Sequence, residues 1–160
     1  MYTHILIPTD GSALSEMALR SGIELARALG AQVTVVTITT PFHGLGGEAV
    51  LSQDPEQYEK HISALARQYL DAAKSIAAAA PSVPCSFVHA EHEYPYRAII
   101  DMARKRGCDV IFMASHGRHG MSAIVLGSET LKVLTHSSIP VIVYRQPQAG
   151  IAPIQSASGG

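Results

Sequence analysis

Asp109-Val-Ile-Phe-Met-Ala-Ser-His-Gly-Arg-His-Gly-Met-Ser-Ala-Ile-Val-Leu-Gly-Ser128 decides how the rest of the chain is read. Its opening apolar run, to Ala114, has the character of a buried strand. Ser128-Glu-Thr-Leu-Lys-Val-Leu-Thr-His136 has helical character. A strand, a glycine-bearing loop and a helix start are the parts from which anion sites are made. The first turn of a helix carries N–H groups without internal partners, and its dipole favours negative charge. Gly117 and Gly127 leave the backbone open to close approach, and Ser128 adds a hydroxyl donor. The stretch reads as a nucleotide phosphate site.

Outward from it, strand and helix patterns alternate. His4-Ile-Leu-Ile7 is a short apolar strand ending at Pro8. Asp10-Gly-Ser12 is turn chemistry, with Ser12 as helix N-cap and Glu16 complementing the dipole. Leu14, Met17, Ala18, Gly22, Leu25, Ala26 and Leu29 form one helical face, which Gly30 closes. Gly22 within that stripe predicts a helix seated close to a sheet. Val33–Ile38 is a β-branched second strand. An irregular segment from Thr39 to about Asp54 follows, with Pro41 and Gly44-Leu-Gly-Gly47 in it. A loop that long in a compact domain is usually functional or mobile. Pro55 opens a long helix to about Ala80, and Val83–Ala90 reads as a third strand. Pro95 opens another helix, closed by Gly107. Ile139-Pro-Val-Ile-Val-Tyr144 is a fifth strand. From Gln146 onward Pro, Gly, Ser and Ala dominate, which predicts a disordered tail over 146–160 after a single domain over 1–145.

Five apolar strands separated by helices specify an α/β fold. The expected form is an open, mostly parallel five-stranded sheet with helices on both faces, Rossmann-like. Such sheets bind ligands at the carboxyl ends of their strands, where the winding reverses. If the first and fourth strands are neighbours, the Asp10 loop and the Ala114–Gly117 loop face each other across that crevice.

Composition narrows the function classes. The chain has 160 residues, 47% hydrophobic and 16% charged, with a formal net charge of -1. That balance supplies no surplus of Lys and Arg for nucleic acid. No apolar run nears the roughly 20 residues a membrane-spanning helix needs. The first residues lack signal-peptide features, and two cysteines, Cys85 and Cys108, suit free thiols in a reducing cytoplasm. His116 with His119, and His89 with His92, lack further ligands at metal spacing, so no metal site is expected. Tyr94 and Tyr96 suit packing around Pro95. No Gly-x-Ser-x-Gly elbow stands in the chain, and no catalytic residue is assigned. The loop has no Walker lysine, and its glycine spacing is not the dinucleotide fingerprint.

Ile5-Leu-Ile-Pro-Thr-Asp-Gly-Ser12, Val110-Ile-Phe-Met-Ala-Ser-His-Gly117, Gly127-Ser128 and Ile139-Pro-Val-Ile-Val143 together resemble the universal stress protein family. The resemblance covers about residues 1–145 and implies the adenine nucleotide alpha-hydrolase-like variant of the fold. The family's ATP-binding branch is marked by Gly, two residues, Gly, nine residues, then Gly with Ser or Thr. Gly117, the nine residues from Arg118 to Leu126, and Gly127-Ser128 fit that pattern, while Ala114 stands at its first Gly. We read that first Gly as serving close approach to ribose rather than positive φ, so that one methyl is accommodated.

By that likeness, Pro8, Thr9 and Asp10 line the nucleoside pocket, and Ile38 sits against adenine. Met113 and the segment Ala114, Ser115, His116, Gly117, Arg118 and His119 wrap ribose and phosphates. Ser128, Glu129 and Thr130 follow Gly127 to cap the phosphate tail. The implied ligand is ATP with Mg²⁺, and the implied role is a nucleotide-dependent sensor or regulator in the stress response. The resemblance also implies homodimers through the last strand, by way of Ile139, Val141 and Val143. An apolar sheet edge independently invites such pairing. Two alternatives stand beside this reading: a slow ATPase using Asp10 or a histidine, and a partner-binding module with a degenerate pocket.

Overall fold

The computed structural model describes residues 1–44, 54–118 and 125–147. In chain order the elements are β1 (His4–Pro8), α1 (Ala13–Leu29), β2 (Gln32–Thr39), α2 (Pro55–Ala78), β3 (Cys85–Glu91), α3 (Pro95–Arg106), β4 (Val110–Ala114), α4 (Ser128–His136) and β5 (Val141–Tyr144). All strands pair in parallel, in the order β3-β2-β1-β4-β5. The expected sheet is therefore the observed one, and β1 lies beside β4 at its centre. Winding runs one way from β1 through β2 to β3 and the other way through β4 to β5. The crevice forms where the two directions part.

Strand alternation sorts the apolar residues into two layers. Ile5 and Ile7 of β1, Val33 and Val35 of β2 and Phe112 of β4 face α1 and α2. Leu6, Val36, Ile111 and Met113 face α3 and α4, where Ile99, Ile100, Ala103 and Val133 meet them. Both faces of every central strand are buried, which is why these strands read as unbroken apolar runs. Burial on this scale, at roughly 25 cal/mol per Å² of apolar surface, is the main force holding the layers together.

The local signals act as their chemistry dictates. Ser12 caps α1 by accepting from the Ser15 N–H, and Gly30 and Gly107 end α1 and α3 in the left-handed region. A Cβ at Gly22 would lie 2.5 Å from Ile7 Cδ1, so the expected close seat of α1 on the sheet is real. The buried face of α1 is rotated from the expected stripe: Leu19 and Ile23 are buried, while Met17, Leu25 and Leu29 are only partly so. Two overlapping stripes fit a 3.6-residue period, and docking against both the sheet and α2 selects between them. Val83 and Pro84 belong to the turn before β3, and Ile139 and Pro140 to the approach to β5.

Candidate ligand-binding cleft

β1 ends at Pro8, but the chain stays fixed for two further residues. The Thr9 N–H donates to the Val36 carbonyl at 2.9 Å, and the Thr37 hydroxyl donates to the Thr9 carbonyl at 3.0 Å. β4 is prolonged in the same way by the Ser115 N–H, which donates to the Tyr144 carbonyl at 2.8 Å. Two loops thus leave adjacent strands from rigid points and diverge. Between them and α3 opens a cleft of about 480 Å³, within the range of roughly 300–1,000 Å³ common for small-molecule sites.

The cleft is lined by Pro8, Thr9, Asp10, Ile38, Met113, Ala114, His116, Gly117, Arg118, Gly127, Ser128, Glu129 and Thr130, all of them site residues expected from the sequence. Ser115 is not among them. It is 3% exposed, held under the loop by its ladder bond to Tyr144, and its carbonyl accepts from the Gly127 N–H at 2.8 Å. His119 lies outside the described residues. Ser15, Val36, Thr40, Pro95 and Ile99 also line the cleft and were missed. They come from the first turn of α1, β2 and the segment just after it, and the start of α3. Strand alternation for Val36 and helical periodicity for Ile99, which bring both into one layer, are the sequence signals that could have found those two.

The two loop glycines serve a purpose their sequence context did not reveal. Neither has positive φ. A Cβ at Gly117 would lie 2.5 Å from Asp10 Oδ2, and one at Gly127 would lie 3.0 Å from the His116 Cα. Glycine here makes room for the protein's own neighbouring segments. Ala114 has ordinary φ, since no non-glycine residue among those described has positive φ. The substitution at the first position of the pattern therefore carries no backbone strain.

Polar groups around the cleft are distributed unevenly. Asp10 Oδ1 accepts from the Ser12 N–H at 3.0 Å and Oδ2 from the Arg118 N–H at 3.0 Å. Burial pushes this carboxyl up, but hydrogen bonds from Ser12, Ser15 and Arg118 outweigh it and hold the group below its ordinary range. Asp10 is a settled anion and a poor base. Glu129 turns its Oε2 away to accept from the Tyr96 N–H at 2.8 Å, capping α3, and its Oε1 pairs with Lys132 at 3.0 Å. Thr130 donates its hydroxyl to the Ala114 carbonyl at 2.9 Å.

Helix starts complete the pattern. Ser12 caps α1, Asp54 caps α2, and Glu129 reaches the first turn of α3. α4 begins at Gly127, with no side-chain cap among the described residues. Its first-turn N–H groups, on Ser128, Glu129 and Thr130, belong to residues that line the cleft. That is an arrangement for an anion.

The model of the universal stress protein family matches residues 1–145. The chain belongs to this family. A universal stress protein of Methanocaldococcus jannaschii is 29% identical over 152 residues, covering 92% of this chain and 85% of that protein. The structure of universal stress protein UspA from Lactobacillus plantarum matches with a TM-score of 0.77 at 21% identity, over 90% of this chain and 98% of that one. The universal stress protein of Archaeoglobus fulgidus in complex with dAMP matches with a TM-score of 0.57 at 20% identity, over 89% and 97%. At these identities the two structures speak for the fold. In this sheet the switch point lies between β1 and β4. No helix among the described residues is long and apolar enough to cross a membrane.

Proposed function

We propose that this universal stress protein binds ATP in the β1/β4 cleft and acts as a nucleotide-dependent regulator of the stress response. The observation that carries the reading is the uncapped start of α4 in a cleft with apolar walls from Val36, Ile38, Ile99 and Met113. An apolar wall suits a purine ring, and an open helix N-terminus suits phosphate. The dAMP complex of the Archaeoglobus fulgidus relative supports an adenine nucleotide as the ligand class. The nearest carboxylates, Asp10 and Glu129, already accept N–H donors, so the Mg²⁺ of ATP would be held by phosphate oxygens and water. The same engagement leaves Asp10 unsuited to activating water, which favours a binding role over turnover.

The tail over 146–160 is assigned no part in this. β5 is a sheet edge, and pairing of two copies there, through Ile139, Val141 and Val143, would remove it. Free Cys85 and Cys108 suit a cytoplasmic setting. The test is titration calorimetry with ATP, AMP and adenosine. The expected result is saturable binding, tighter for ATP than for adenosine. Absence of binding by all three would overturn the proposal.

A further inference from the structure

The loop after β4 is held from outside the cleft as well as from within. Arg118 donates its backbone N–H to Asp10 Oδ2 at 3.0 Å and its Nε to the Asp10 carbonyl at 2.9 Å. Its guanidinium carbon then lies 4.8 Å from the centre of the Tyr69 ring, a cation–π distance. Tyr69 belongs to α2, and no residue of α2 lines the cleft. The same ring fills the space beside Gly11, where a Cβ would lie 2.2 Å from Tyr69 Cδ1 and where φ is +73°. Tyr69 thus touches the β1 loop at Gly11 and the β4 loop at Arg118.

We infer that Tyr69 is a positioning residue for phosphate recognition, acting by holding the Arg118 side chain. This rests on the reading of the cleft as a nucleotide site. Nε is committed to the Asp10 carbonyl, the terminal N–H groups have no partner among the described residues, and a guanidinium held beside a ring offers them to an anion from a restricted set of orientations. Loss of the ring frees the side chain, so a phosphate must order it on binding. Adenosine, which has no phosphate, does not draw on this arrangement.

Calorimetric titration of Tyr69→Leu, Tyr69→Phe and Arg118→Ala with ATP and adenosine tests the inference, with thermal melting confirming that each variant is folded. Tyr69→Leu is expected to weaken ATP by about fivefold while adenosine changes by less than about twofold. Tyr69→Phe keeps the ring face and should bind ATP as the wild type does. In the Arg118→Ala background, Tyr69→Leu should have no further effect on ATP. Unchanged ATP affinity in Tyr69→Leu, or equal losses for ATP and adenosine, would overturn the inference while leaving the nucleotide site in place. A wild-type chain that binds neither compound would remove the nucleotide site and this inference with it.

Discussion

Two helices start at the same cleft with opposite solutions to the same problem. α1 begins under Ser12, whose hydroxyl accepts from the Ser15 N–H, and just behind the ionised Asp10, which accepts from the Ser12 N–H. Its dipole already has an anion. α4 begins at Gly127, with no cap of its own. Glu129 stands in its first turn but spends its carboxylate on α3 and Lys132. Among the described residues, α1, α2 and α3 each have a side chain bonded to a first-turn N–H, and α4 has no side-chain cap. On the proposed reading, that open start, rather than the count of glycines or histidines nearby, is what draws the ligand.

The strongest way to break this contrast is to give α4 an anion of its own. Gly127→Asp puts a carboxylate where phosphate is proposed to sit, and its Cβ must also find room 3.0 Å from the His116 Cα. Calorimetry should show ATP affinity falling by about 100-fold, since a like charge replaces an open donor set. Ser12→Ala does the converse at α1. It should lower stability by about 1 kcal/mol in denaturant unfolding, with ATP affinity shifted less than about twofold.

Acid sharpens the comparison next. The carboxyl of Asp10 is held below its ordinary 3.8, so its contribution to stability is fully present above that value. It is lost as pH falls from there through the lower folded-state value. Asp10→Asn should be less stable than wild type at pH 6, and the gap should close below pH 3.8. The smallest effect is expected from Glu129→Gln, which keeps an acceptor for the Tyr96 N–H but removes a negative charge from the first turn of α4. ATP affinity should rise by about twofold, readily read in a competition titration at low salt.

Much of this was legible in the sequence because the signals were local. Five apolar runs, Ser12, Pro55, Pro95, Gly30 and Gly107 place the elements with little ambiguity. The residues flanking the cleft from β1 and β4 follow from strand ends and family pattern together. What escaped was set by packing between distant segments. Ser115 keeps the strand's ladder bond one residue past β4 and so faces away from the cleft, which no local pattern announces. Gly117 and Gly127 carry the right residue type for a different reason, because Asp10 and His116 occupy the space beside them. Thr40, Pro95 and Ile99 reach the cleft from elsewhere in the chain, just past the end of β2 and the start of α3, outside the loop after β4. Nothing local to α2 marks Tyr69, and only the fold brings it to Gly11 and Arg118.

The most direct test of the account follows the backbone amides of both helix starts by ¹⁵N nuclear magnetic resonance during titration with ATP and then with adenosine. The Ser128, Glu129 and Thr130 amides are expected to shift with ATP and stay near their free positions with adenosine, while the capped Ser15 amide of α1 responds to neither. Large ATP-dependent shifts at Ser12 and Ser15, with α4 unmoved, would contradict it.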